Sequence, residues 1–66
     1  MMLTINGHQH DYPSESTILE LLDGLGMADK PVVIELNQKA LSPSEFKDHR
    51  LKDGDVLEII TIAAGG

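Results

Sequence analysis

Thr17-Ile18-Leu19-Glu20-Leu21-Leu22-Asp23-Gly24-Leu25-Gly26 reads as a capped amphipathic helix, and the rest of the chain has to be arranged around it. Thr17 is a good N-cap, and Glu20 three residues later completes a capping box, each side chain satisfying the other residue's free backbone N–H. Ile18, Leu21, Leu22 and Leu25 fall at i, i+3, i+4 and i+7, a single apolar stripe. Gly24 and Gly26 supply the stop, because glycine enters the left-handed conformation without a Cβ clash. A stripe of this kind has to be covered, so strands are expected on both sides of it in sequence.

Upstream, Leu3 and Ile5 alternate with Met2 and Thr4 in a short strand, and Asn6-Gly7 follows. That dipeptide accepts positive φ at both central positions of a type I′ hairpin turn. The return strand is expected over His8 to Tyr12, ended by Pro13, which cannot donate to a ladder. Downstream, Val32 to Asn37 is rich in β-branched residues and alternates through Val32, Ile34 and Leu36. Asn37-Gln38 reads as a turn and Lys39 to Leu41 as a very short strand. Ser42 and Pro43 open a brief helical turn, as cap and first position. Asp53-Gly54-Asp55 is a turn, and Val56 to Ile62 is the most apolar strand of the chain. Such a run suits a central strand buried from both sides, paired in parallel with the first strand. The expected fold is α+β: a mixed four- to five-stranded sheet packed on one main helix, in the β-grasp (ubiquitin-like) arrangement.

Size and charge narrow the functional classes. Sixty-six residues make one domain, which buries only about 60% of its unfolded surface. No room remains for a cleft walled by two layers, so the protein is expected to work by being bound. Eleven acidic against five basic residues give a formal charge of −6, a field that repels nucleic acid and anionic membranes and favours a basic protein surface. The same charge also serves plain solubility. Cysteine is absent, which removes disulfides, thiolate nucleophiles and persulfides. The N-terminus lacks the charged opening and apolar stretch of a signal peptide, and no run approaches the ~18 apolar residues of a membrane span. A cytoplasmic protein is expected.

No catalytic constellation stands out. His8 and His10 project from one face of a strand at a spacing compatible with metal chelation, but no third ligand lies near, and a solvated strand face is favoured. Asp53 and Asp55 supply too few oxygens for calcium and are explained by turn chemistry. Glu20 and Glu35 have no evident acid–base partner, and Ser42 and Ser44 no histidine at motif spacing. Ala63-Ala64-Gly65-Gly66 holds nothing that packs well and is expected as a flexible C-terminal tail after a domain spanning 1–62. With glycine near 7% of average composition, a chain closes on Gly-Gly by chance about one time in two hundred.

The strand order, the helix start Thr17-Ile18-Leu19-Glu20-Leu21-Leu22, the Leu51-Lys52-Asp53-Gly54-Asp55-Val56 approach to the last strand and the terminal Gly65-Gly66 together resemble the ThiS family of ubiquitin-like sulfur carriers. The resemblance covers the whole chain. It implies a carrier without catalytic residues of its own, whose Gly66 carboxylate is adenylated by a ThiF-like enzyme using ATP and magnesium. It further implies a thiocarboxylate at that carbon, formed with sulfur originating from a cysteine desulfurase. A ThiG-like thiazole synthase then takes the sulfur into the thiazole ring of thiamine. Gly65 and Ala64 belong to the tail in this reading, and Ile60 or Ile62 to the face where a partner docks. Gly65 and Gly66, without side chains, pass a channel too narrow for a Cβ, and the four-residue tail reaches roughly 13 Å. The rivals are a carrier for molybdopterin or another biosynthetic route, and a non-covalent β-grasp binding adaptor.

Overall fold

Hydrophobic alternation and the two asparagine turns produce five strands in the computed structural model, which describes residues 1–62. The strands are β1 (Met2–Ile5), β2 (His8–Asp11), β3 (Val32–Leu36), β4 (Lys39–Leu41) and β5 (Val56–Thr61). Helix α1 (Ile18–Gly24) lies between β2 and β3, and a 3-10 turn, Pro43–Glu45, follows β4. The sheet order is β2-β1-β5-β3-β4, with β5 in the centre. It runs parallel to β1 and antiparallel to β3, and the two hairpins form the flanks. This is the expected α+β, β-grasp arrangement.

Both hairpins turn through positive φ. Asn6 and Gly7 have φ of 50° and 83°, as a type I′ turn requires, and Asn37 and Gln38 have 51° and 70°. Glycine at position 7 accepts its angle without strain, whereas Asn37-Gln38 uses two side-chain-bearing residues.

The helix is capped as the sequence dictates. The Thr17 N–H donates to Glu20 Oε1 at 2.8 Å, and the Glu20 N–H donates to Thr17 Oγ1 at 3.1 Å. The next free donors are taken by a loop from the far end of the chain. The Ile18 N–H reaches the His49 carbonyl at 3.1 Å and the Leu19 N–H that of Phe46 at 2.9 Å. The same loop inserts Phe46 and Leu51 into the core beside Ile18, Leu21 and Leu22. Leu3, Ile5, Ile34, Leu36, Leu57 and Ile59 complete the core from the sheet.

Three expectations need correction. The last strand is central but buried on one face only: Leu57 and Ile59 are covered, while Val56 and Ile60 stay 44% and 54% exposed. The reason is that the single helix and the 43–51 loop cover one side of the sheet, and none of the described residues covers the other. Leu25 leaves the apolar stripe, 41% exposed, because the helix ends at Gly24 and Leu25 serves as C-cap. Strands β2 and β5 are each shorter by one residue than expected, ending at Asp11 and Thr61. Backbone pairing nevertheless continues, from Tyr12 N–H to the Met1 carbonyl and from Ile62 N–H to that of Pro31. No helix among the described residues is long and apolar enough to cross a membrane.

Candidate functional site

The site follows from how β5 is held and where it leads. β5 begins after the Lys52–Asp55 turn, in which the Asp55 carboxylate accepts from the Lys52 N–H at 2.8 Å and from Asn37 Nδ2 at 3.0 Å. Asp53 accepts from the Met2 N–H at 2.6 Å, tying this turn to the start of β1. Asp55 therefore serves the turn, as its sequence context predicts, whereas Asp53 joins the turn to β1.

Two asparagine side chains act as short pieces of strand. β1 turns away from β5 after Ile5, which would leave the backbone of Ile59 without a ladder partner. Asn6 fills that place: its Nδ2 donates to the Ile59 carbonyl at 3.1 Å, and the Ile59 N–H donates to its Oδ1 at 2.8 Å. On the other side, Asn37 Oδ1 accepts from the Val56 N–H at 2.9 Å. Sequence reasoning assigned both residues to turns and missed the clamps. Asn in place of the equally turn-competent Asp was the available signal, since only the amide both donates and accepts.

Beyond the Asn6 clamp, β5 ends beside a groove of about 810 Å³ between α1 and the 3-10 turn. Leu19, Pro31, Val32, Phe46 and Ile62 give it apolar walls, and Lys30 and Lys47 also line it. Ile62 therefore stands at the groove, whereas Ile60 stands on the open face of the sheet opposite Val33. The two residues proposed from sequence as one docking strip face different surroundings. Ala64, Gly65 and Gly66, and with them the whole tail expected over 63–66, lie outside the described residues.

The remaining candidates carry no site chemistry. His8 and His10 are exposed and sit opposite Ile5 and Leu3, on the helix-side face but out at the edge strand. The ring of His10 lies 6.4 Å from that of Tyr12 at a 40° tilt. Among the described residues no three histidine, aspartate or glutamate side chains converge on a metal position. The carboxyl of Glu20 is held below its ordinary range, chiefly by the hydrogen bond from the Thr17 backbone and then by the Thr17 side chain, with the Arg50 charge assisting. That is helix capping. Ser42 and Ser44 share a hydroxyl contact at 3.1 Å, and Glu45 accepts from the Ser42 N–H.

Known proteins of the same pattern place this arrangement in a family. The model of the ThiS family matches residues 3–66. The sulfur carrier protein ThiS of Thermus thermophilus is 34% identical over 65 residues, covering 98% of this chain and 100% of that protein. A thiazole synthase of Paramagnetospirillum magneticum is 33% identical over all of this chain, which spans only 20% of that protein's length. The crystal structure of the thiamine biosynthesis protein ThiS from Geobacter metallireducens superposes with a TM-score of 0.85 at 33% identity, each chain covered in full. The chain belongs to the ThiS family of small β-grasp sulfur carriers.

Proposed function

We propose that the carboxylate of Gly66 is the working group, carried on a tail of residues 63–66 while the body, 1–62, serves as the grip. A carboxylate is a poor acyl donor. Attack of its oxygen on the α-phosphorus of ATP expels pyrophosphate and leaves a mixed anhydride with AMP, whose departure is easy. The ThiF-like partner supplies ATP and magnesium for that step. The terminal sulfur of a cysteine-desulfurase-derived persulfide attacks the acyl carbon and displaces AMP, and a thiol reductant then cleaves the S–S bond of the acyl disulfide, leaving a thiocarboxylate on this chain and a disulfide between the donor and the reductant. The thiocarboxylate sulfur is then delivered to a ThiG-like thiazole synthase for the thiazole ring of thiamine.

The observation that carries this reading is the family match, which runs through Gly65 and Gly66. The structure supports it in one respect: β5, the central and doubly clamped strand, is the element that leads to residue 63, so a pull on the tail is resisted by the whole sheet. The absence of cysteine leaves no thiol on this chain to carry sulfur as a persulfide. Two proteins named thiazole synthase contain a stretch similar to the whole of this chain within a fifth of their length. Joining such a domain covalently to a thiazole synthase favours thiazole over molybdopterin as the destination of the sulfur.

Appending one alanine after Gly66 tests the assignment. The carrier reading expects the extended chain to fold and bind its adenylating partner but to deliver no sulfur to thiazole synthase. Undiminished delivery by the extended chain would refute it and favour a non-covalent adaptor.

A further inference from the structure

The Asn6 side chain is both a structural clamp and a reactive group. An asparagine followed by glycine is thermally labile, because the next backbone nitrogen can close a cyclic imide on the side-chain carbonyl carbon and glycine has no Cβ in the way. Asn6 is exposed to water, and a Cβ built on Gly7 would meet nothing within 4 Å, so no neighbour shields the two groups. The restraint comes from the clamp. Nδ2 donates to the Ile59 carbonyl at 3.1 Å and Oδ1 accepts from the Ile59 N–H at 2.8 Å, which ties the amide across to β5. Closing the imide turns the amide carbon tetrahedral and draws it onto the Gly7 nitrogen, a movement that both bonds oppose.

Asn37 supplies the internal contrast. It too sits in a hairpin turn at positive φ, 51°, with both ends of its amide engaged. Its Nδ2 donates to Asp55 Oδ1 at 3.0 Å, and its Oδ1 accepts from the Val56 N–H at 2.9 Å. Its successor is Gln38, whose side chain obstructs the same ring closure. Two asparagines thus hold β5 in the same manner, and only the one at position 6 stands before glycine.

We propose that Asn6 is a site of spontaneous deamidation that the folded sheet holds in check, and that its product cannot rebuild the clamp. The Gly7 nitrogen bonds to Asn6 Cγ and gives up its proton, while the Cγ–Nδ2 bond breaks and Nδ2 leaves as ammonia. Water then opens the imide at one carbonyl or the other, leaving aspartate, or isoaspartate with the chain running through Cγ. No oxidant or cofactor takes part. An aspartate at this position still accepts from the Ile59 N–H, but it sets a second acceptor against the Ile59 carbonyl, where Nδ2 had donated. Isoaspartate lengthens the backbone of the turn and loses the clamp altogether. In both products the strand that leads to residue 63 is held less firmly. Each opening of the clamp therefore exposes the chain to a change it cannot reverse, and the folded sheet sets how long an intact molecule lasts.

The test follows Asn6 by peptide mapping with mass spectrometry, reading the gain that turns an amide into an acid and separating aspartate from isoaspartate by fragmentation. The whole chain is kept warm at neutral pH in buffer and in guanidinium chloride below and above its unfolding transition. Hydrogen exchange of the Ile59 amide, the other half of the clamp, is measured over the concentrations at which the chain stays folded. The expected result is conversion at Asn6 at least about tenfold slower in buffer than in the unfolded chain, rising with denaturant in proportion to Ile59 exchange. Asn37 should convert far more slowly than Asn6 in the unfolded chain. Asn6→Asp keeps a residue type that tolerates positive φ, and it should lower the folded-to-unfolded ratio at least about tenfold in urea. Equal rates at Asn6 in the folded and unfolded chains, or Ile59 exchange that climbs without a rise in conversion, would overturn the proposal. So would an Asn6→Asp chain as stable as wild type, or conversion of Asn37 as fast as that of Asn6.

Discussion

Replacing Asn6 by alanine removes two hydrogen bonds that close the ladder of β5 after β1 has turned away. The Ile59 N–H and carbonyl are left in a part-buried position without a partner. Each bond contributes about 1 kcal/mol net, and an orphaned backbone group costs somewhat more where water cannot replace the partner. Asn6 also sits at φ 50°, where asparagine is tolerated and alanine is strained by about 1 kcal/mol. Together these give a loss of about 3 kcal/mol. For a domain of this size that corresponds to a melting temperature lower by roughly 10–20 °C. The loss is a large share of the total, since native domains hold only about 0.05–0.15 kcal/mol per residue. Urea unfolding followed by far-ultraviolet circular dichroism measures it directly, the chain having no tryptophan. Asn6→Gly separates the two causes, because it keeps the backbone angle and loses only the bonds; it should recover about 1 kcal/mol of the deficit. If Asn6→Ala unfolds within about 0.5 kcal/mol of wild type, the clamp has no energetic weight and the account of β5 as a firmly held strand is wrong.

Three further perturbations address the helix and the open face. Thr17→Ala should cost about 1 kcal/mol by removing the cap acceptor, measured in the same urea series. Because the Glu20 carboxyl is held below its ordinary value in the folded chain, its contribution is complete above the ordinary carboxylate range and is lost as pH falls through the lowered folded value. The acid side of the stability profile should therefore flatten in Glu20→Gln, and an unchanged profile would contradict the capping account. Ile60→Asp, on the exposed face, should leave urea stability within about 1 kcal/mol of wild type but weaken binding to the adenylating enzyme at least about tenfold. Retained binding would remove Ile60 from the docking surface.

The elements legible in the sequence are those whose signals are local. Thr17 and Glu20 announce the helix because a capping box is complete within four residues, and Asn6-Gly7 announces the hairpin because its turn chemistry is self-contained. The central place of β5 also follows from its apolar content. What escaped is set by contacts distant in sequence. The Asn6 amide meets Ile59 across 53 positions, and the helix N-terminus is completed by carbonyls of Phe46 and His49. Neither partner leaves a trace in the local pattern. The one-sided burial of β5 was hidden for a different reason: its outward residues Val56 and Ile60 are as apolar as its inward ones, so alternation, the usual mark of a half-exposed strand, is weak. For the site itself, Gly65 and Gly66 stood out as residues, but the separate surroundings of Ile60 and Ile62 depend on where the groove beside Pro31 opens.

In the proposed chemistry the last carbon of Gly66 accepts sulfur. Intact-mass measurement of the chain after incubation with its adenylating enzyme, ATP, magnesium, a desulfurase-derived persulfide and a thiol reductant tests it, followed by fragmentation to locate the change. The expected result is a gain equal to the difference between one sulfur and one oxygen atom, confined to the fragment ending in Gly66 and dependent on ATP. An unchanged mass with an enzyme that adenylates a related carrier under the same conditions, or a gain located anywhere else in the chain, would contradict it.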